Sequence, residues 1–155
     1  MASFASALDR SMEDIKRPPP APTGSYQIRV TKMPDTPETF NGNDGTPYER
    51  MTFNCQIVAP MDDVDTDELA AFGKVEGTPL RLAFIFNTQD EQKFEGTLNR
   101  MKNFLGHCGI DTSTGTLSEK LSEVPNAQFG GTVEHRLDPK DPMITYAEIG
   151  RTFAI

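Results

Sequence analysis

The chain has 155 residues, a formal net charge of −8 and 36% hydrophobic residues, with a mean hydropathy of −0.49. That length favours one domain with a core of its own. No apolar run approaches the ~20 residues that a membrane-crossing helix needs, and no basic start leads into an apolar run as in a secretory leader, so a soluble, cytoplasmic protein is expected.

Residues 3–17, "SFASALDRSMEDIKR", space Phe4, Leu8, Met12 and Ile15 at helical intervals and predict a short amphipathic helix. The proline-rich "PPPAPTG" (18–24) stops it, because successive prolines donate no backbone hydrogen bonds and favour an extended path. Residues 1–23 are therefore expected to form an arm outside the core that covers a neighbouring subunit or a partner, with residues 24–155 as the main domain.

The first strand is predicted at 26–32, with Tyr26, Ile28 and Val30 on one face and Gln27, Arg29 and Thr31 on the other. The loop "MPDTPETFNGNDGTP" follows, rich in turn residues. The second strand, at 48–58, points Met51, Phe53, Cys55 and Ile57 one way and Arg50, Thr52, Asn54 and Gln56 the other. The stretch "DDVDTDE" (62–68) places Asp63, Asp65 and Asp67 at the first, third and fifth positions of a calcium loop. Glu68 then stands where glycine is needed, and Lys74 where the bidentate glutamate belongs, so the segment reads as a solvated acidic loop.

The third strand, at 80–86, runs straight into a helix at about 90–107. "TQDE" (88–91) reads as its capping box, and Phe94, Leu98, Met101, Leu105 and Cys108 form one apolar stripe, with Gly106 or Gly109 to end it. "LSEKLSE" (117–123) adds a helical turn. The fourth strand, at 128–136, contains Gly130–Gly131, and the fifth, at 143–153, is joined to it by "LDPKDP". Three strands, a helix and two strands is the order of an OB-fold: a mainly β, five-stranded Greek-key barrel with one helix between strands three and four. Glycines inside strands supply the bends such a barrel needs to close. An open antiparallel sheet with one packed helix fits the same pattern.

The layout resembles a family of small bacteriophage single-stranded-DNA-binding proteins with OB-folds. The likeness lies in the helix and proline lead into "PTGSYQIRV", in "FEGTLNRMKNFLGHCGI" after an apolar strand, and in the closing "AQFGGTVEHRLDPKDPMITYAEIG". It covers most of the chain. The resemblance implies a protein that coats single strands during phage replication or recombination in the cytoplasm of a bacterial host, with phage replication or recombination proteins as further partners.

The charge pattern fits that role better than the net charge does. Residues 60–76 hold six carboxylates against one lysine, whereas the five predicted strands carry Arg29, Lys32, Arg50, Arg81, Arg136 and Arg151 against Glu49, Glu134 and Glu148. Single-strand coating needs cations for phosphates and exposed aromatics for bases. The cation candidates are Arg29, Arg50 and Arg81, with Lys32, Arg136 and Arg151 behind them. Tyr48, Tyr146 and Phe40 are the stacking candidates. A phage structural or adaptor protein whose β-domain packs on other proteins is the rival expectation.

No cofactor, metal site or enzymatic activity is expected. His107, Cys108 and His135 lack a metal-binding spacing, "FGGTV" is too short for a nucleotide fingerprint, and no catalytic triad or paired carboxylate can be placed. Cys55 and Cys108 read as free thiols.

Overall fold

The computed structural model describes residues 3–15 and 19–155. Lys16, Arg17 and Pro18, where the predicted helix would end and the proline run begins, lie outside the described residues.

Six antiparallel strands form one sheet: β1 (Gly24–Lys32), β2 (Glu38–Asn41), β3 (Pro47–Pro60), β4 (Pro79–Asn87), β5 (Gln128–Leu137) and β6 (Thr145–Phe153). The long β3 organises it. One of its edges takes β2 near its start, with Glu38 opposite Arg50, and β1 near its end, with Tyr26 opposite Pro60. Its other edge takes β4, from Tyr48 opposite Asn87 to Gln56 opposite Pro79. The far edge of β1 takes β5, which in turn takes β6. The sheet thus runs β4–β3–β1–β5–β6. Its end strands, β4 and β6, approach each other but do not pair, so the expected closed barrel is corrected to an open, curved sheet.

Alternation decides which side is buried, because successive side chains of a strand point to opposite faces. Tyr26, Ile28 and Val30 of β1, Phe53, Cys55 and Ile57 of β3, Leu80, Phe84 and Phe86 of β4, and Phe129 and Val133 of β5 all lie in the core. A Cβ on Gly130 would collide with the ring of Phe153, and the β5–β6 register slips between Gly131 and Val133. The paired glycines therefore let two strands approach closely at a bulge, as strand glycines commonly do.

Helix α3 (Glu91–His107) covers the core. Its N-cap is Asp90, which accepts from the Lys93 backbone N–H at 3.1 Å. Thr88, the predicted cap, instead donates to the Pro47 carbonyl at 3.0 Å. Gly109, at φ +80°, adopts the left-handed geometry that ends a helix. The buried positions are Thr97, Met101, Phe104 and Leu105, while Phe94 and Leu98 pack half-buried at the edge. Phe104, outside the predicted stripe, is as deeply buried as Met101, each 1% exposed.

Two short elements depart from the expected reading, and a third, the helical turn at 117–123, is present. The acidic stretch contains α2 (Thr66–Phe72), capped by Asp65, whose carboxylate accepts from the backbones of Asp67 and Glu68. Asp63 accepts from the backbone and hydroxyl of Ser25 at 3.0 and 2.8 Å, which holds its carboxyl below the usual range. Val64 and Val75 on either side of α2 are core residues, so the segment is a structured cap on one end of the sheet rather than a solvated loop. The turn-rich loop contains the hairpin strand β2. The "LSEKL" turn is α4 (Leu117–Leu121), with a capping box between Thr116 and Glu119.

The arm is not one helix. It has α1 (Phe4–Ala7) and a 3₁₀ turn (Met12–Asp14). Its inner end is part of the fold, contrary to the expected boundary at residue 23: Ala21 is 2% exposed and in the core. The Tyr26 hydroxyl donates to the Pro22 carbonyl at 2.7 Å, and Nε2 of His135 bonds the Ala21 carbonyl at 2.7 Å. Burial, with Glu68 and Asp63 nearby, pushes the Tyr26 phenol up to about 12. Tyr26→Phe is expected to cost about 1–3 kcal/mol in a urea melt, since it strands the buried Pro22 carbonyl without a donor. A near-zero change would mean that water replaces the hydroxyl.

Cys55 and Cys108 are both free, and burial pushes each thiol up to about 12. Among the described residues no helix is long and apolar enough to cross a membrane.

Candidate nucleic-acid interface

The outward face of β3 and β4 carries the polar half of the alternation. Arg50, Thr52 and Asn54 stand in register with Ile85, Ala83 and Arg81. Because the sheet curls, β5 and β6 rise beside this face. Together they enclose an open groove of ≈ 830 Å³, walled by Arg50, Thr52, Asn54 and Arg81 on one side and Arg136, Tyr146 and Glu148 on the other, with Glu38 from β2 at its rim.

The two sides of the groove repeat one arrangement. On β2–β3, the Arg50 guanidinium lies 4.9 Å from the centroid of the Phe40 ring and bridges Glu38 at 2.9 Å. On β5–β6, Arg136 lies 5.3 Å from the centroid of the Tyr146 ring and bridges Glu148 at 2.9 Å. Each is an arginine laid on an aromatic face and held by a glutamate. Register explains both: Glu38 faces Arg50 across one strand pair, and Arg136 faces Tyr146 across the other. These ion pairs are solvent-exposed, with side-chain exposures of 36% and 64% for Arg50 and Glu38 and 52% and 43% for Arg136 and Glu148. Such pairs are worth about 0–1 kcal/mol each, so an incoming anion can replace the glutamate at little cost. Arg81 is exposed and has no ion-pair partner among the described residues.

Tyr146 is further fixed by its hydroxyl, which donates to Asp138 at 2.9 Å. Asp138 also accepts from the backbones of Lys140 and Asp141, and these bonds, that from Lys140 foremost, hold its carboxyl below the usual range. The turn between β5 and β6 is thereby tied to the groove's aromatic wall.

Beyond Arg50 the surface continues onto a ring pair. Phe40 and Tyr48 stack with centroids 5.4 Å apart and planes 22° from parallel. They line a recess of ≈ 390 Å³ with Pro47 and Thr88. Tyr48 also borders a further recess of ≈ 490 Å³ beside Ile85, Asn87, Lys93 and Arg100. Arg100 donates to the Thr97 hydroxyl at 3.1 Å, and that hydroxyl donates to the Ile85 carbonyl at 3.0 Å, so this cation is aimed at β4.

Of the nine residues singled out in the sequence, Arg50, Arg81, Arg136 and Tyr146 line one groove, and Phe40 and Tyr48 adjoin it. Arg29, Lys32 and Arg151 do not line it. Arg29 donates to the Asn126 side chain at 2.9 Å. Lys32 is exposed at the end of β1, and Arg151 is exposed on β6. Sequence reasoning missed Lys93 and Arg100, whose seven-residue spacing puts them on one side of α3, and the two glutamates that hold the arginines. No protein-family model matches the chain, and a search of curated proteins finds no match to it.

Proposed function

We propose that this protein binds single-stranded DNA without sequence preference, along the groove between β3–β4 and β5–β6. The observation that carries the reading is the groove itself: three arginines line it, two of them laid on aromatic rings, and a half-buried ring pair continues it. Cations along a path of stacking surfaces suit a strand whose bases are unpaired and whose sequence varies. No array of rigid hydrogen-bonding groups aimed at base edges is needed for that.

The strand order supports the same reading. The order β4–β3–β1–β5–β6, with a helix between β4 and β5, matches that expected of an OB-fold with its closing pair unpaired, and an OB-fold is itself a partly open barrel. Oligonucleotides bind OB-folds across the second and third barrel strands and the loops flanking them. Here those strands are β3 and β4, and the flanking loops are the β2 hairpin and the 138–144 turn. The acidic groups cluster elsewhere, around α2. The surroundings in which the protein would act, phage replication or recombination, rest on the family resemblance alone.

Arg81 gives the cleanest test. Its guanidinium has no glutamate to release, so each phosphate it meets releases a counterion without an offsetting cost. Arg81→Ala is expected to reduce the slope of log K against log salt by about 0.7, the value for one single-strand phosphate contact, equally for different oligonucleotide sequences. Fluorescence titration at several salt concentrations measures this. An unchanged slope in a folded variant would place the strand elsewhere, and no binding even at low salt would end the DNA reading altogether.

A further inference from the structure

We propose that the N-terminal arm of one copy seats in an apolar cleft of the next, linking copies head to tail. This inference stands independently of DNA binding.

The arm presents an unmet surface. Phe4 is 82% exposed, Leu8 67%, Met12 82% and Ile15 50%. α1 is preformed by a capping box between Ser3 and Ser6. A helix of four residues has no stability of its own in water, so a partner surface is what would make it worth capping.

The main domain presents the complementary gap. A cleft of ≈ 210 Å³ opens between α3, α4 and the near ends of β3 and β4. Met51, Phe86, Phe94, Leu98, Leu117 and Leu121 wall it. An apolar cavity of ~150 Å³ takes a benzene ring, so this one has room for a large side chain such as that of Phe4. Glu49 is the single charged residue in its lining. Leu117, on its rim, is 43% exposed.

Reach and exposure together point to whose cleft is filled. The arm is anchored at Ala21–Pro22, beside Tyr26, and Tyr26 pairs with Pro60 at the far end of β3. The cleft lies at Met51, near the start of that strand. Nine residues of strand span about 30 Å. Ile15 is six residues from Ala21, at most about 20 Å of chain. Ile15 therefore cannot reach the cleft of its own chain, and Phe4, Leu8 and Met12, which lie far enough along the arm to do so, stay 67–82% exposed rather than seated in it. A second copy supplies both halves, since every copy carries one arm and one cleft at opposite ends. Such a heterologous contact does not close on itself in a pair and extends into a row.

Sedimentation velocity over a range of concentrations tests this. The full chain is expected to grow in mass with concentration, without a fixed end point. Leu8→Asp, in the exposed arm, and Leu117→Asp, on the cleft rim, are each expected to leave a monomer with an unchanged thermal melt. Mixed together, the two variants are expected to give a dimer and nothing larger. One contributes the intact arm, the other the intact cleft. A full chain that stays monomeric at every concentration overturns the proposal. So does a Leu8→Asp chain that still assembles, or a mixture of two folded variants that does not pair. Should Leu117→Asp fail to fold, Leu121→Asp replaces it in the same mixture, with the same expected dimer.

Discussion

Phe104→Ala is expected to lower the unfolding free energy by about 3–5 kcal/mol, the range for deleting a fully buried aromatic ring. Phe104 is 1% exposed. Its ring centroid lies 5.5 Å from that of Phe53 on β3, 5.6 Å from Phe84 on β4 and 5.0 Å, edge-on, from Phe129 on β5. One side chain of α3 thus ties the helix to three strands that are not all neighbours in the sheet. Aromatic pairs at these separations add about 0.5–1.5 kcal/mol beyond burial, and strands on three sides leave little freedom to collapse into the gap. Leu98→Ala is the informative companion. Leu98 is half-buried and faces the open cleft, so its removal leaves no sealed void, and about 2 kcal/mol or less is expected. Urea melts of both variants measure the difference. Equal losses would show that α3 holds the sheet along its whole length rather than through one ring.

Helical periodicity led to Leu98 and passed over Phe104, and the reason is geometric. The stripe Phe94–Leu98–Met101–Leu105 follows the steepest apolar gradient on the helix. The sheet beneath it is curled, so burial centres on the C-terminal half of the helix: Met101, Phe104 and Leu105 are 1–2% exposed, whereas Phe94 and Leu98 stay half-buried. A local pattern gives the buried side of an element but not which part of that side is deepest, because depth depends on strands that are distant in sequence. The same limit explains the open sheet. Strand positions and inward faces were legible from alternation, and all five predicted strands exist within a few residues of their expected bounds. Whether β4 pairs with β6 depends on how far a six-stranded sheet twists before its ends meet, and no residue announces that.

The acidic stretch failed for a different reason. Its carboxylates dominate the composition, yet Asp65 followed by Glu68 is a helix start, and Val64, Leu69, Phe72 and Val75 are its apolar contacts. That signal was present and outweighed. At the candidate site, alternation correctly put Arg29, Arg50 and Arg81 on the outward side of three strands. On a flat sheet that would make one surface. On this one, the outward side turns through space between β4 and β1, so Arg29 faces Asn126 while Arg81 faces the groove. Arg136 and Tyr146 come into the groove by the same curvature, from strands far along the chain.

Tyr48→Ala is expected to weaken oligonucleotide binding by about 1–3 kcal/mol, roughly 5- to 150-fold, with the salt slope unchanged. Tyr48 is the hinge of the surface: it stacks on Phe40, borders the recess beside Lys93 and Arg100, and stands two residues from Arg50 on the same face. A base laid on this ring pair would place the phosphates on either side of it within reach of Arg50 in one direction and of the α3 cations in the other. Removing the ring takes away a π-face and leaves the cations in place, so the loss should fall on affinity and spare the counterions released. Arg81→Ala should do the reverse, lowering the slope with a smaller loss at high salt. The two variants therefore separate base contacts from phosphate contacts within one titration series. If Tyr48→Ala lowers the slope as much as Arg81→Ala does, its effect runs through the position of Arg50 over Phe40, and the ring pair is a support for a phosphate contact. If its affinity is unchanged while Arg81→Ala still acts, the strand crosses the arginine groove and leaves the surface before it reaches the Phe40–Tyr48 stack.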